Sequence, residues 1–248
     1  MNKTLLITGA SRGIGAATSL LAVQRGYTVC VNYRQNAAAA QSVVEEIQSA
    51  GGQAMAIAAD ISVESDVVRM FQQIDETFGR LTALVNNAGV LEKQMRLEEM
   101  DAARLTRIFA TNVTGSFLCA REAVRRMSTR CGGGGGAIVN ISSMASQLGG
   151  PGEYVDYAAA KGAIDTMTIG LAKEVAGEGI RVNAVRPGVI YTELHASGGE
   201  PDRVDRVRES IPMQRGGQPI EVARAILWLL SDEASYCTGM FLNVSGGR

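Results

Sequence analysis

Tyr157 and Lys161 lie four residues apart in Tyr157-Ala158-Ala159-Ala160-Lys161, at the opening of a strongly helical segment. Residues four apart on a helix share a face, so a phenol and an ammonium can be presented to one ligand. A free phenol has a pKa of about 10, and moving it by one unit corresponds to about 1.4 kcal/mol. A neighbouring cation favours the phenolate. A Tyr held beside a Lys can therefore serve as a general acid or base near neutral pH. Tyr and Lys also fall four apart by chance on many helices, so the pair gains its weight from the rest of the chain. Gly9, Gly13 and Gly15 follow the apolar run Leu5-Leu6-Ile7 and precede residues with helical spacing. Glycines between a strand and a helix permit a tight turn and bring backbone N–H groups and the helix N-terminus up to a phosphate. The spacing is GxxxGxG rather than the GxGxxG of the commonest dinucleotide fingerprint.

The end of the next strand bears on which dinucleotide fits. A carboxylate there would bind the adenosine ribose hydroxyls. This chain has Asn32-Tyr33-Arg34 instead. Arg34, together with Arg12 in the glycine turn, suits bidentate pairing with a 2′-phosphate. That favours NADP(H), with NAD(H) as the second choice; the bland alternative is two ordinary solvated charges. Asp60, at the end of the third strand, suits either a hydrogen bond from the adenine amino group or a cap on the following helix.

These residues need a scaffold, and the spacing supplies one. Short apolar runs at 5–7, 28–33, 53–59, 83–85, 137–141, 181–185 and 240–244 alternate with helical patterns at 16–25, 37–49, 63–78, 98–127, 154–176 and 219–230. The segment 98–127 reads as one long or two abutting helices. Such alternation predicts an α/β fold: a single Rossmann-type, doubly wound parallel sheet of about seven strands with helices on both faces. No linker divides the chain, so residues 1–248 are expected to form one domain. The run Gly132–Gly136 reads as a flexible surface loop. Ligands of such sheets bind outside the carboxyl ends of the strands. Gly9–Gly15, Arg34, Asp60, Asn86–Gly89, Ser142-Ser143 and Pro187-Gly188 all fall there.

Composition narrows the function classes. The 248 residues are 46% hydrophobic, with a net charge of −1. That balance gives no electrostatic case for nucleic acid or an anionic membrane as partner. Four cysteines without CxxC spacing fit reduced thiols in a cytoplasmic protein. One histidine, His195, and no paired cysteines leave no metal site to expect. The N-terminal apolar run is too short for a signal peptide, and no run approaches the roughly 18 to 20 apolar residues that span a bilayer. A soluble, cytoplasmic protein is expected.

Thr8-Gly9-xxx-Gly13-x-Gly15, Asn86-Asn87-Ala88-Gly89, Ser143, Tyr157-xxx-Lys161 and Arg186-Pro187-Gly188 occur in the order and spacing of the short-chain dehydrogenase/reductase superfamily. The chain resembles that family over essentially its whole length. It is most similar to bacterial glucose 1-dehydrogenase-like and 3-oxoacyl-carrier-protein-reductase-like members. The resemblance implies an oxidoreductase interconverting a ketone or aldehyde and an alcohol by hydride transfer with a nicotinamide cofactor. By resemblance, Tyr157 exchanges a proton with the substrate oxygen, and Lys161 binds the nicotinamide ribose and lowers the Tyr157 pKa. Ser143 hydrogen-bonds the substrate oxygen, with Ser142 the weaker candidate, and Asn112 holds a water that relays protons. Cofactor contacts are implied for Gly9, Ser11, Arg12, Gly13, Ile14, Gly15, Arg34, Asp60, Ile61, Asn86, Ala88, Gly89, Tyr157, Lys161, Pro187, Gly188, Ile190 and Thr192. The family often has an Asp before a C-terminal Gly-Gly; here Ser245 stands before Gly246-Gly247.

In this family the region corresponding to residues 191–217 covers the substrate. Here it holds Gly198-Gly199, Pro201 and Pro212, with a charged amphipathic stretch at 203–210 between them, so a mobile lid is expected. His195 falls in it and reads better as a solvated histidine than as a substrate contact. The resemblance also implies a homotetramer acting on a small carbonyl or alcohol substrate. Two other functions fit the same sequence. One is 3-oxoacyl-carrier-protein reductase, with Arg125, Arg126 and Arg130 as a basic patch for an acidic carrier. The other is a catalytically silent NADP(H)-binding sensor, against which the intact Asn112, Ser143, Tyr157 and Lys161 weigh.

Overall fold

The computed structural model describes residues 3–248. Its strands are β1 (Lys3–Ile7), β2 (Tyr27–Tyr33), β3 (Ala54–Ala58), β4 (Ala83–Asn86), β5 (Gly136–Ile141), β6 (Ile180–Pro187) and β7 (Phe241–Val244). They form one sheet in the order β3-β2-β1-β4-β5-β6-β7, and every neighbouring pair is parallel. The strand order reverses between β1 and β4, which opens a crevice at their carboxyl ends. The helices are α1 (Gly13–Val23), α2 (Ala37–Ser49), α3 (Glu64–Phe78), α4 (Ala102–Phe109), α5 (Ser116–Met127), α6 (Ala145–Leu148), α7 (Val155–Val175), α8 (Leu194–Ser197), α9 (Arg203–Val207) and α10 (Pro219–Leu230). No described helix is long and apolar enough to cross a membrane.

A parallel sheet covered on both faces needs apolar residues at consecutive strand positions. Leu5 and Ile7 enter one core and Leu6 the other; Val29 and Val31 part from Cys30 in the same way, and Val139 from Ile138. The first core is closed by α1, α2 and α10 through Ala22, Val44, Ile47, Ile226 and Leu230. The second is closed by α3, α5 and α7 through Val67, Phe71, Cys119 and Ala172. Helix starts follow local chemistry. Asn36 accepts from the Ala39 N–H at 3.0 Å and Asp101 from the Arg104 N–H at 2.7 Å. Pro219 occupies the first turn of α10, where Gln218 and Glu221 form a capping box.

Three segments differ from what the sequence suggests. Within the stretch 98–127 a 3-10 turn, Leu97–Glu99, ends before Met100 and Asp101, and from Ala102 α4 and α5 run on joined through a π-helical turn, Ala110–Gly115. Asn112 inside that turn reaches out of the helix to Val90: its Oδ1 accepts from the Val90 N–H at 2.8 Å, and its Nδ2 donates to the Val90 carbonyl at 2.9 Å. The glycine run is not a loose loop. Gly133 N–H donates to Ser128 O at 2.8 Å, Gly135 to Met127 O at 2.8 Å and Gly136 to Gly179 O at 3.0 Å, and Gly136 already belongs to β5. The short helix α6, unforeseen in the sequence, follows the Ser142-Ser143 turn.

The segment 191–217 folds back over the carboxyl edge of the sheet. Its two ends meet: Tyr191 N–H donates to Gly217 O at 2.9 Å, and Gly217 N–H to Val189 O at 3.0 Å. Between them α8 and α9 form separate short helices. The C-terminal stretch supports the base of this segment, with Met213 N–H donating to Gly246 O at 3.1 Å.

Candidate active site

The glycine turn is held by side chains from three strands. Thr8 Oγ1 accepts from the N–H groups of Asn87 and Ala88, both at 3.0 Å. Asn87 Nδ2 donates to Thr8 O at 2.8 Å and Gly9 O at 3.0 Å. Asn32 Oδ1 accepts from Gly9 N–H at 3.1 Å, and its Nδ2 donates to Ala59 O at 3.1 Å. Gly9 has φ +62°, and a Cβ there would stand 2.9 Å from Ala88 Cα. A Cβ at Gly15 would stand 2.7 Å from Asn87 Nδ2 and 2.8 Å from Gly9 O. Only glycine fits either place. The N-cap of α1, Arg12, makes no side-chain cap, so the first N–H groups of α1 face the cleft unclaimed by a side chain. This is a cradle of the kind that accepts a phosphate.

From this turn a cleft of about 480 Å³ runs along the strand ends. Arg34 and Asp60 stand at one end, 3.8 Å apart, with the Arg34 side chain half exposed. Asp60 Oδ1 accepts from both N–H and Oγ of Ser62, at 2.9 and 2.6 Å, which shapes the turn into α3. Arg12 does not share a partner with Arg34. It donates to Ser197 Oγ of α8 at 3.4 Å, across the cleft.

The other end holds the phenol and the ammonium. Both are buried, Tyr157 at 8% exposure and Lys161 at 4%. Lys161 Nζ donates to Ile141 O at 2.7 Å and stands 5.6 Å from the Tyr157 ring centroid. Burial pushes the Tyr157 phenol up to about 12, and a hydrogen bond with Ser143 opposes that rise. Burial lowers Lys161 to about 8, against the charge of Asp165. The Lys161 ammonium is directed at the Ile141 carbonyl, and burial is the largest influence on the phenol. Ser143 lines the cleft and its Oγ accepts from the Ala145 N–H at 3.1 Å. Ser142 is buried with its hydroxyl on Lys161 O at 3.3 Å, so Ser143 is the serine available to a ligand.

Most residues singled out in the sequence line this one cleft: Gly9, Ser11, Arg12, Gly13, Ile14, Arg34, Asp60, Ile61, Ala88, Gly89, Ser143, Tyr157, Lys161, Pro187, Gly188, Ile190 and Thr192. Gly15, Asn86 and Asn112 lie behind the wall. Asn86 donates to Asn140 Oδ1 at 3.0 Å inside the sheet, and Asn87 takes the lining position beside it. Asn112 is fully buried, and its side-chain amide bonds both backbone groups of Val90. His195 is not a solvated surface group. It lines the cleft, holds Ile190 O through Nε2 at 3.1 Å, keeps Nδ1 buried without a partner among the described residues, and has its pKa lowered by burial.

Further contacts around the site join distant parts of the chain. Arg186 pairs with Asp165 of α7 at 2.9 Å and stacks on Phe241 with its guanidinium 3.9 Å from the ring centroid. Leu91, Tyr154 and Leu194 pack with Tyr157 into an apolar cluster drawn from three separate segments. Arg203 reaches the cleft from α9. Only the fold brings these together.

Comparison with known proteins agrees with this architecture. A family model described as enoyl-(acyl carrier protein) reductase matches residues 9–248. The chain is 64% identical over 243 residues to the uncharacterized oxidoreductase YgfF of Escherichia coli (strain K12), covering 98% of each protein. It is 40% identical over 248 residues to a 3-oxoacyl-[acyl-carrier-protein] reductase of Synechocystis sp., covering 98% of this chain and 95% of the relative. A solved short-chain dehydrogenase/reductase double mutant from Serratia marcescens superposes with a TM-score of 0.91 at 33% identity, over 99% of this chain and 97% of that one. With its Gly9–Gly15 turn, seven parallel strands and Tyr157–Lys161 helix, the chain belongs to the short-chain dehydrogenase/reductase family of NAD(P)-binding oxidoreductases.

Proposed function

We propose that this oxidoreductase uses NADP(H) to interconvert a small ketone or aldehyde and its alcohol, with Tyr157 as the proton donor and acceptor. The observation that carries this reading is one cleft holding Arg34 and the open N-terminus of α1 at one end and Ser143, Tyr157 and Lys161 at the other. The residues fit the cofactor. The α1 N–H groups would hold its pyrophosphate, Arg34 its 2′-phosphate, and Lys161 its nicotinamide ribose. When bound, the cofactor supplies or takes up the hydride. Tyr157 gives its proton to the carbonyl oxygen as negative charge grows there, and the Ser143 hydroxyl hydrogen-bonds the same oxygen. Lys161, set deep behind the phenol on Ile141 O, is placed to steady the negative charge left on Tyr157. The apolar cluster around Tyr157 keeps bulk water from the reacting atoms. The segment 191–217, pinned at its two ends, is the lid of this site, in a chain that works as one domain.

The names of relatives favour a second substrate within the same chemistry, a 3-oxoacyl thioester. The arginine cluster at and just after the end of α5 counts against an acidic carrier docking there. Arg126 is engaged by Asp75 and Glu122, Arg125 by Glu122, and Arg130 by Glu178.

The test is NADPH and NADH oxidation at matched concentrations against ketones, sugars, diketones and acyl thioesters. Tyr157→Phe should lower kcat by about 10²- to 10⁴-fold. Arg34→Ala should raise the KM for NADPH by about 10- to 100-fold, as expected for losing a charged hydrogen bond, and leave NADH nearly unchanged. Full turnover by Tyr157→Phe would sink the proton-transfer assignment. Equal NADPH kinetics in Arg34→Ala would sink the cofactor assignment alone.

A further inference from the structure

The four residues before the proton-donating tyrosine, Glu153-Tyr154-Val155-Asp156, are clamped between two buried arginines. From α4, Arg104 pairs with Asp156 at 2.7 Å and donates to Lys93 O at 2.6 Å; both members of the pair are almost fully buried. Asp156 Oδ1 also accepts from the Tyr157 N–H at 2.9 Å. From the lid, Arg203 grips Glu153 with both arms, at 2.6 and 3.1 Å, and Glu200 at 3.0 Å. Arg203 is only 5% exposed, although it sits on a short helix over the cleft. Its guanidinium lies 5.0 Å from the centroid of Tyr154. Tyr154 in turn meets Tyr157 edge to face, with centroids 5.9 Å apart and planes at 86°.

The two clamps differ in kind. Arg104 and Asp156 join elements of the packed body. Arg203 belongs to the lid and reaches the tyrosine only through Glu153 and the Tyr154 ring. The forked geometry is one that Lys cannot reproduce. We infer that Arg203 is a positioning residue: by seating Tyr154 between the lid and Tyr157, it places the phenol for proton transfer when the lid is down. This rests on Tyr157 as the proton donor. An arginine committed to two carboxylates is not available to bind substrate, so its influence should fall on the chemical step rather than on substrate affinity. A displacement of about 1 Å at a reacting group can cost on the order of 100-fold in rate.

The inference can be read without a substrate. The chain has six tyrosines, so protein labelled with 3-fluorotyrosine gives six fluorine resonances, and Tyr157→Phe identifies that of residue 157. With NADPH added, Arg203→Met should shift or broaden the residue 157 line and leave those of Tyr27 and Tyr236 in place. In turnover with the best carbonyl of the panel, Arg203→Met and Glu153→Gln should each lower kcat about tenfold, with substrate KM within about twofold and NADPH affinity unchanged. The double variant should be no worse than Arg203→Met, as for two residues acting as one unit. Arg203→Lys should recover little. An unmoved residue 157 line, an effect confined to KM, or multiplying losses in the double variant would overturn the proposal. Full turnover by Tyr157→Phe would instead overturn the proton-donor reading, and the fluorine result would separate the two failures.

Discussion

Lys161 shows how a site residue can work against the fold that holds it. Its ammonium is buried and keeps a single carbonyl, Ile141 O. Burial takes its pKa from 10.5 down to about 8. Below pH 8 the folded and unfolded chains both carry the charge, and the folded state bears the full burial penalty. Between about 8 and 10.5 the folded chain has released that proton while the unfolded chain still holds it, so stability contributed by this residue rises with pH. The window corresponds to on the order of 3 kcal/mol. Tyr157 acts with the opposite sign at higher pH: the unfolded phenol ionises near 10 and the folded one near 12, so stability falls across that range. Thermal melts of wild type and Lys161→Met, without added cofactor, should therefore converge or diverge in wild type's favour as pH rises from 8 to 10. A stability difference that stays constant over that range would contradict the burial account. Tyr157 and Lys161 were legible in the sequence because helical spacing places them on one face without further information. What each is bonded to was not. Ile141 lies 20 residues from Lys161 in the chain and reaches it only through the packing of α7 on the end of β5.

The joint between α4 and α5 makes the same point for an element. The pattern over 98–127 gives one long or two abutting helices, and helix forms from Ala102 to Met127, but the pattern cannot disclose the π-helical turn Ala110–Gly115. That turn exists because Asn112 bonds both backbone groups of Val90, a residue on the loop after β4. Turns of this kind recur at functional sites, where they re-aim a side chain. Here the turn fixes the loop whose Gly89 lies against the Asn112 amide and Lys161: a Cβ added at Gly89 would stand 3.0 Å from Asn112 Oδ1 and 3.6 Å from Lys161 Nζ. Asn112→Ala removes two hydrogen bonds and leaves two backbone groups without partners, a cost of about 2 to 4 kcal/mol. Asn112→Asp keeps the acceptor for the Val90 N–H and should lose less. Urea unfolding should rank wild type above Asp above Ala, and the Val90 amide should exchange faster with solvent in Ala. Equal stability of all three proteins would mean that the turn is set by helix packing and not by Asn112. The stretch at 203–210 was also legible as charged and amphipathic. Its docking on Glu153, 50 residues earlier, was not.

For the whole molecule, the alternation of apolar runs and helical patterns was enough to place the glycine turn, Ser143 and Pro187-Gly188 at one edge of a parallel sheet, because each follows a strand. Alternation does not say which faces of the helices meet solvent. Phe109 at the end of α4, Phe117 on α5 and Ile169 on α7 are 38%, 50% and 41% exposed. Large apolar side chains turned outward on neighbouring helices suit a surface that a partner would cover. The occupant proposed is a second copy of the same chain, within a homotetramer. These helices are also the ones behind the site: α7 carries Tyr157 and Lys161 on its inner face, and α4 carries Arg104 to Asp156. Covering their outer faces would stiffen the site from behind while the lid acts from the front. Light scattering coupled to size exclusion should give wild type a mass four times that of one chain. Phe117→Glu and Ile169→Glu place a charge where an apolar contact is needed and should reduce it to two chains or one. Their kcat should fall with dissociation and recover as protein concentration is raised, because reassembly restores the support behind α7. A wild-type monomer, or glutamate variants that keep the full assembly, would show that these residues face solvent in the working protein and that the site needs no support from a neighbouring chain.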